Sequence, residues 1–222
     1  MRLQLHLTPN TEPVPFNHLH QLTGALHKWL GQNELHDGLS LYSFGWLKNA
    51  QVRNGYLHFP KGCIWNLSFS DDSIIKKIIA GIMDASEVAY GLLVKEVRIQ
   101  EPPEFGASYG FRTDGSAIVV RRQRDDNTRE YLLWDNLAAD AALTGILRRK
   151  LEMAGFTGPD LNVSVSFDRR YARARTRKIT IKNTEHKGSE CPVIVEGTPE
   201  AVQFAWLVGI GELTGSGFGG VY

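Results

Sequence analysis

Arg2 to Thr8 alternates polar and apolar residues, the period of a strand with one buried face. Pro9 to Pro15 reads as a loop, and Pro15 suits the first turn of a helix. Phe16, Leu19, Leu22, Leu26, Trp29 and Leu30 then recur at helical spacing as far as Gln32. Leu39 to Trp46, Val52 to Phe59 and Cys63 to Phe69 read as strands. Asp71 and Asp72 open a second helix, with charge suited to its N-terminal dipole, and Ile74, Ile75, Ile78, Ile79 and Ile82 form its stripe. Gly91 to Ile99 closes this half as a strand, and Pro102-Pro103 ends it. Strand, helix, strands, helix, strand is a ferredoxin-like βαββαβ order with one strand added.

A similar theme follows. Ser108 to Thr113 and Ala117 to Arg121 read as a hairpin about Asp114-Gly115. Tyr131 to Trp134 is a short apolar stretch. Asn136 reads as the cap of a helix lined by Leu143, Leu147 and Leu151 and stopped at Gly155. Asn162 to Phe167, Lys178 to Lys182 and Cys191 to Glu196 read as strands, the middle one an arm of a basic hairpin. Thr198-Pro199 caps a last helix that runs to Val208. The pattern predicts an α+β protein of two tandem domains, residues 1–101 and 108–222.

Behind that helix, Gly209 to Gly220 holds six glycines among Ile210, Leu213 and Phe218. A flexible tail is the bland reading. Apolar residues recurring within the run, with no low-complexity bias around it, favour an ordered loop presented to a polyanion.

Composition narrows the classes. A net charge of +1 and ordinary apolar content describe a soluble globular chain. Cys63 and Cys191 lie far apart without metal or disulfide spacing, and no apolar run spans a bilayer, so a reducing cytoplasm is the expected compartment. No cofactor is implied. His18 and His20 stand two apart without an acidic or thiol set at ligand spacing, so no metal site is expected. The balanced total hides ten Lys or Arg between Arg148 and Lys182, five of them the arginines Arg169, Arg170, Arg173, Arg175 and Arg177. Guanidinium groups interleaved with Tyr171 favour phosphate and base contacts over a merely solvated loop.

The terminal Gly209, Gly211, Gly215, Gly217, Phe218 and Gly219, behind the strand and helix of Cys191 to Val208, resemble the glycine-rich signature of the repeat-associated RNA-binding superfamily of CRISPR systems. Asn17-His18, Leu35-His36-Asp37 and Leu41-Tyr-Ser-Phe44 are similar to an N-terminal block of the endoribonucleases that process CRISPR precursor RNA, Cas family six. The resemblance implies two ferredoxin-like, RRM-like domains. It also implies metal-independent cleavage of a CRISPR repeat by its own 2′-hydroxyl, giving a cyclic phosphate and a 5′-hydroxyl. Membership of an effector complex and homodimerisation are left open, and no membrane is involved.

That reaction needs a base, an acid and positive charge for the phosphorane. His36 follows the first helix in a polar loop and falls where the family places its catalytic histidine. His27 lies mid-helix, where related enzymes carry a tyrosine or a second histidine; a structural role is equally open. The family's lysine is missing from residues 37–47, which makes Lys48 the nearest candidate. His18 and His20 read as surface or capping residues. Tyr42, Phe44 and Trp46 offer base stacking or core packing. For RNA contact the candidates are the five arginines and the loop residues Gly215, Ser216, Gly217, Phe218 and Gly219. The competing readings are a repeat-binding subunit that does not cut, and an interaction protein without RNA activity.

Overall fold

The structure, a computed structural model of the chain, describes residues 1–31 and 39–222. The first half runs β1 (Arg2–Leu7), α1 (Leu19–Leu30), β2 (Tyr42–Phe44), β3 (Gln51–Arg53), β4 (Tyr56–His58), β5 (Cys63–Phe69), α2 (Asp72–Asp84), β6 (Glu87–Ala89) and β7 (Leu92–Gln100). Its sheet has the order β2-β5-β1-β7-β6, with every neighbour antiparallel. Leaving out the edge strand β6, this is the ferredoxin-like arrangement. Leu3, Leu5 and Leu7, two apart and therefore on one face, are buried in one cluster with Leu22, Leu26 and Trp29 of α1 and Ile75 and Ile78 of α2. The single strand expected over 52–59 is instead the hairpin β3–β4. Asn54 and Gly55 turn it, with φ of 51° and 78°, the left-handed pair that a tight hairpin requires.

The second half runs β8 (Ser108–Phe111), β9 (Arg121–Gln123), β10 (Arg129–Tyr131), α3 (Ala138–Met153), β11 (Ser164–Phe167), β12 (Arg175–Ile181), β13 (Thr184–Glu190), β14 (Val193–Glu196) and α4 (Pro199–Val208). Strands β11, β14 and β8 form a sheet, and Val221 and Tyr222 pair with Thr113 and Arg112 where β8 ends. The order repeats the first half, so the fold is two ferredoxin-like units in tandem. Hairpins β9–β10 and β12–β13 are additions to it. Thr198 caps α4 by accepting the Ala201 amide, and Asn136 accepts the Ala138 amide at the start of α3.

The two halves share their interiors. Ala117, Val119, Ile179 and Phe218 are buried in the cluster of the first sheet. Arg2, 1% exposed, donates to Ser68 Oγ (2.7 Å), the Trp206 carbonyl (2.6 Å) and the Val221 carbonyl (2.7 Å), and its guanidinium lies 3.8 Å from the Trp206 ring centroid. Asp114-Gly115 is not the tip of a hairpin. Asp114 is 2% exposed, ion-paired with Lys48 and hydrogen-bonded to Asn66 Nδ2 at 2.8 Å, while its amide donates to Gly220 at 2.7 Å. Partners distant in sequence overrode the local turn signal. Among the described residues no helix is long and apolar enough to cross a membrane.

Candidate functional site

Gly209 to Gly220 is an ordered loop wedged between the halves. Gly209, Gly211, Gly217 and Gly219 all have positive φ, and a Cβ at Gly219 would overlap the Ile210 carbonyl. The Ile210 amide donates to Gly219, Glu212 to Val119 and Gly219 to Ala117, at 2.8–2.9 Å. Trp46 Nε1 donates to the Gly217 carbonyl at 2.7 Å. Phe218 is fully buried, edge-on to His186. Gly217, Phe218 and Gly219 therefore fasten the loop from inside, and much of its amide capacity is spent within the protein. Gly215 and Ser216 form the edge that lines open space.

That space is a cleft of about 670 Å³ at the junction of the halves. From the first half, Thr23 and His27 of α1 line it, with Leu39, Ser40 and Tyr42 at and before β2. From the second come Arg121 and Gln123 of β9, Arg129 of β10, Arg149 of α3 and the loop residues Glu212, Gly215 and Ser216. Arg121 is held by Glu212, its Nε donating to Oε2 at 2.7 Å. Arg129 and Arg149 are exposed and form no ion pair among the described residues. Among the described residues the three arginines against Glu212 give the cleft a cationic lining, a setting that attracts phosphate.

His27 thus meets the glycine loop and a cationic wall. His36 lies outside the described residues. Lys48 does not line the cleft; its ammonium is committed to Asp114 and stands 5.0 Å from the Tyr222 ring centroid. His18 Nδ1 is 2.9 Å from the Pro15 carbonyl and His20 Nδ1 3.2 Å from that of Asn17, both at the start of α1; burial lowers the His18 pKa. Tyr42 and Phe44 are buried.

The arginine cluster divides by its partners. Arg169 grips both Asp140 oxygens, at 2.7 and 3.0 Å, and donates to the Asn136 carbonyl, so it ties the end of β11 to the start of α3. Arg175 and Arg177 share Glu190. Arg170 rests loosely on Asp168, and Arg173 is exposed without an ion pair among the described residues. None of the five lines the cleft. The cleft arginines Arg121 and Arg129 belong to a second arginine-rich run with Arg122 and Arg124, a signal that sequence reasoning misses, and Arg149 is one of a basic triplet on α3; only folding brings them to His27.

The family model described as CRISPR-associated protein Cas6, C-terminal, matches residues 100–222. Among solved structures the chain resembles the product of a Cas6-related gene from Pyrococcus furiosus, at 22% identity, TM-score 0.87, covering 100% of this chain and 97% of that one. A RAMP protein described as binding different RNA substrates matches at 21% identity and TM-score 0.85, covering 100% and 98%. A Cas6 product complex matches at 14% identity and TM-score 0.71, covering 99% and 98%. A comparison with curated proteins by sequence returned no match. These likenesses establish the shared fold, and the family model, spanning more than half of the chain, establishes the lineage: the protein belongs to the Cas6 family of CRISPR-associated proteins.

Proposed function

We propose that the protein binds CRISPR repeat RNA across the junction of its halves and cuts it in the cleft, without a metal ion. The observation that carries this reading is the meeting around one cavity of His27, the Gly215–Ser216 edge, and Arg129 and Arg149, which form no ion pair among the described residues. The 2′-oxygen attacks the adjacent phosphorus as the bond to the 5′-oxygen breaks. One histidine takes the 2′-proton and another delivers a proton to the leaving oxygen. His27 and His36 fill these roles; His36 precedes the cleft residue Leu39 by three positions, a covalent reach of about 10 Å. Arg129 and Arg149 neutralise the phosphorane, the duty for which Lys48 was the sequence candidate. Outside the cleft, Arg170, Arg173 and the β12–β13 arm engage the backbone of the repeat.

Repeat RNA incubated with the protein in EDTA tests the reading. Products ending in 2′,3′-cyclic phosphate and 5′-hydroxyl support it. A gel shift without products supports the second reading, a repeat-binding subunit, which the commitment of Lys48 to Asp114 favours. Neither a shift nor products would sink both.

The arginines are expected to separate by role. Arg129→Ala and Arg149→Ala each weaken repeat binding and reduce the slope of log K against log salt by about 1, the signature of a lost phosphate contact. Arg169→Ala lowers the unfolding midpoint and leaves that slope unchanged, because its guanidinium is spent on Asp140 and Asn136. A slope change for Arg169→Ala alone would reverse the assignment.

A further inference from the structure

Lys150 is 1% exposed, under the glycine loop. Its ammonium donates to the Val208 carbonyl at 3.1 Å, the Gly209 carbonyl at 3.3 Å and Thr214 Oγ1 at 3.1 Å. Three hydrogens meet three acceptors, so the charged form suits the site completely. Val208 ends α4 and Gly209 caps it, where the helix dipole favours a cation. No carboxylate among the described residues pairs with it, and burial pushes its pKa down to about 7. An unpaired buried cation is costly where an aliphatic chain would fill the same volume.

The groups it grips are the start and the middle of one loop. Thr214, accepting from Lys150, passes its own hydrogen to the Tyr42 carbonyl at 2.8 Å. Tyr42 and Gly215, the neighbour of Thr214, are both walls of the cleft. One ammonium therefore connects α3, the end of α4, the glycine loop and β2. The other ionisable groups on those elements are Glu212 with its partner Arg121, Tyr42 on β2, Glu200 on α4, and on α3 Asp140 with its partner Arg169 together with Arg148, Arg149 and Glu152 beside Lys150.

We propose that Lys150 is a positioning residue for RNA: in its charged form it holds the Gly215–Ser216 edge against β2 in the shape that receives the RNA backbone. This inference rests on the proposed function for its RNA arm, while the arm concerning the loop stands on the protein alone. A neutral amine has two hydrogens for three acceptors, so one link loosens when the proton leaves.

Lys150→Met, matched in length and apolar, tests it. Amide hydrogen exchange on the free protein is expected to quicken about tenfold or more across Gly215 to Gly219 and to stay unchanged in β1 and β5. Affinity for repeat RNA is expected to fall about tenfold, with the single-turnover rate at saturating RNA within about twofold of wild type. Raising the pH from about 6 to 9 should erode the wild-type advantage in binding, as the ammonium is lost. Stability responds to the same proton. Below pH 7 both states carry it, and above 10.5 neither does; between these values only the unfolded chain holds it. Wild type therefore gains stability relative to Lys150→Met as the pH rises through that window. Should Lys150→Met not fold, Thr214→Val cuts the link to Tyr42 and carries the same test. Wild-type exchange across the loop in a folded variant would overturn the inference whatever the RNA does. Loss of RNA binding by wild type would instead defeat the proposed function, with the exchange comparison still deciding whether Lys150 holds the loop.

Discussion

His36→Ala is expected to slow single-turnover cleavage of repeat RNA by about 10²–10⁴-fold, the usual size of one lost proton transfer, while the repeat remains bound within about threefold of wild type. His27→Ala is expected to fall in the same range. The two losses should not add, because an acid and a base that act on one phosphorus work as a unit. A Michaelis constant that moves while the chemical rate does not would remove either residue from the chemistry and leave it a binding role. His27 has a stated place for this work: half-buried on α1, it lines the same cleft as Arg129, Arg149 and the edge of the glycine loop. His36 earns its test by its position in the chain and by the family pattern. Normal cutting by the His36 variant would leave the acid and base to be sought among the other walls of the cleft.

Arg2→Ala is expected to cost on the order of 3–5 kcal/mol in unfolding free energy, read by urea or thermal unfolding. Truncation leaves a cavity beside Trp206 and strips a donor from Ser68 Oγ and from the carbonyls of Trp206 and Val221. Against a total of about 5–15 kcal/mol for a typical domain, that is a large share. Burial lowers the Arg2 pKa to about 10, well above neutral pH, so the side chain keeps its charge under ordinary conditions. Arg2→Lys should recover only part of the loss, since an ammonium cannot present the planar fork that meets three acceptors at once. A loss below about 1 kcal/mol for the alanine variant would mean that the halves are joined elsewhere, with Asp114 and its partners the next contact to remove.

Where the chain could be read from its residues, local physics and tertiary structure agreed. The alternation of Arg2 to Thr8 and the leucine spacing of α1 reported faces that the fold does bury. Thr198-Pro199 started α4 because a hydroxyl acceptor and a fixed φ are local requirements. The apolar residues inside the glycine run announced order, and Phe218 is the reason, since it anchors in the first core. Misreadings arose where a distant partner decided. Asp114-Gly115 carries a hairpin signal, yet Lys48 and Asn66 draw the carboxylate into the interior. Arginine density marked residues 169–177, and what density does not carry is the partnering of Arg169 with Asp140 and of Arg175 and Arg177 with Glu190. Arg129 and Arg149 also sit in basic runs, Arg121 to Arg129 and Arg148 to Lys150, but only the folding of the β9–β10 hairpin and α3 around the loop sets them beside His27.

The burial of Phe218 and Ile179 in the core of the first sheet bears on timing. At a synthesis rate of about 5–20 residues per second, residue 218 follows residue 100 by on the order of ten seconds. During that interval the first sheet has its strands and helices but lacks side chains that complete its interior, and its uncovered apolar surface is open to chaperones and proteases. The cleft waits nearly as long, because its walls span residues 23 to 216. A nascent chain on the ribosome, surrounded by RNA, therefore has no finished cleft, and the site proposed for the repeat is complete only once residue 216 is in place.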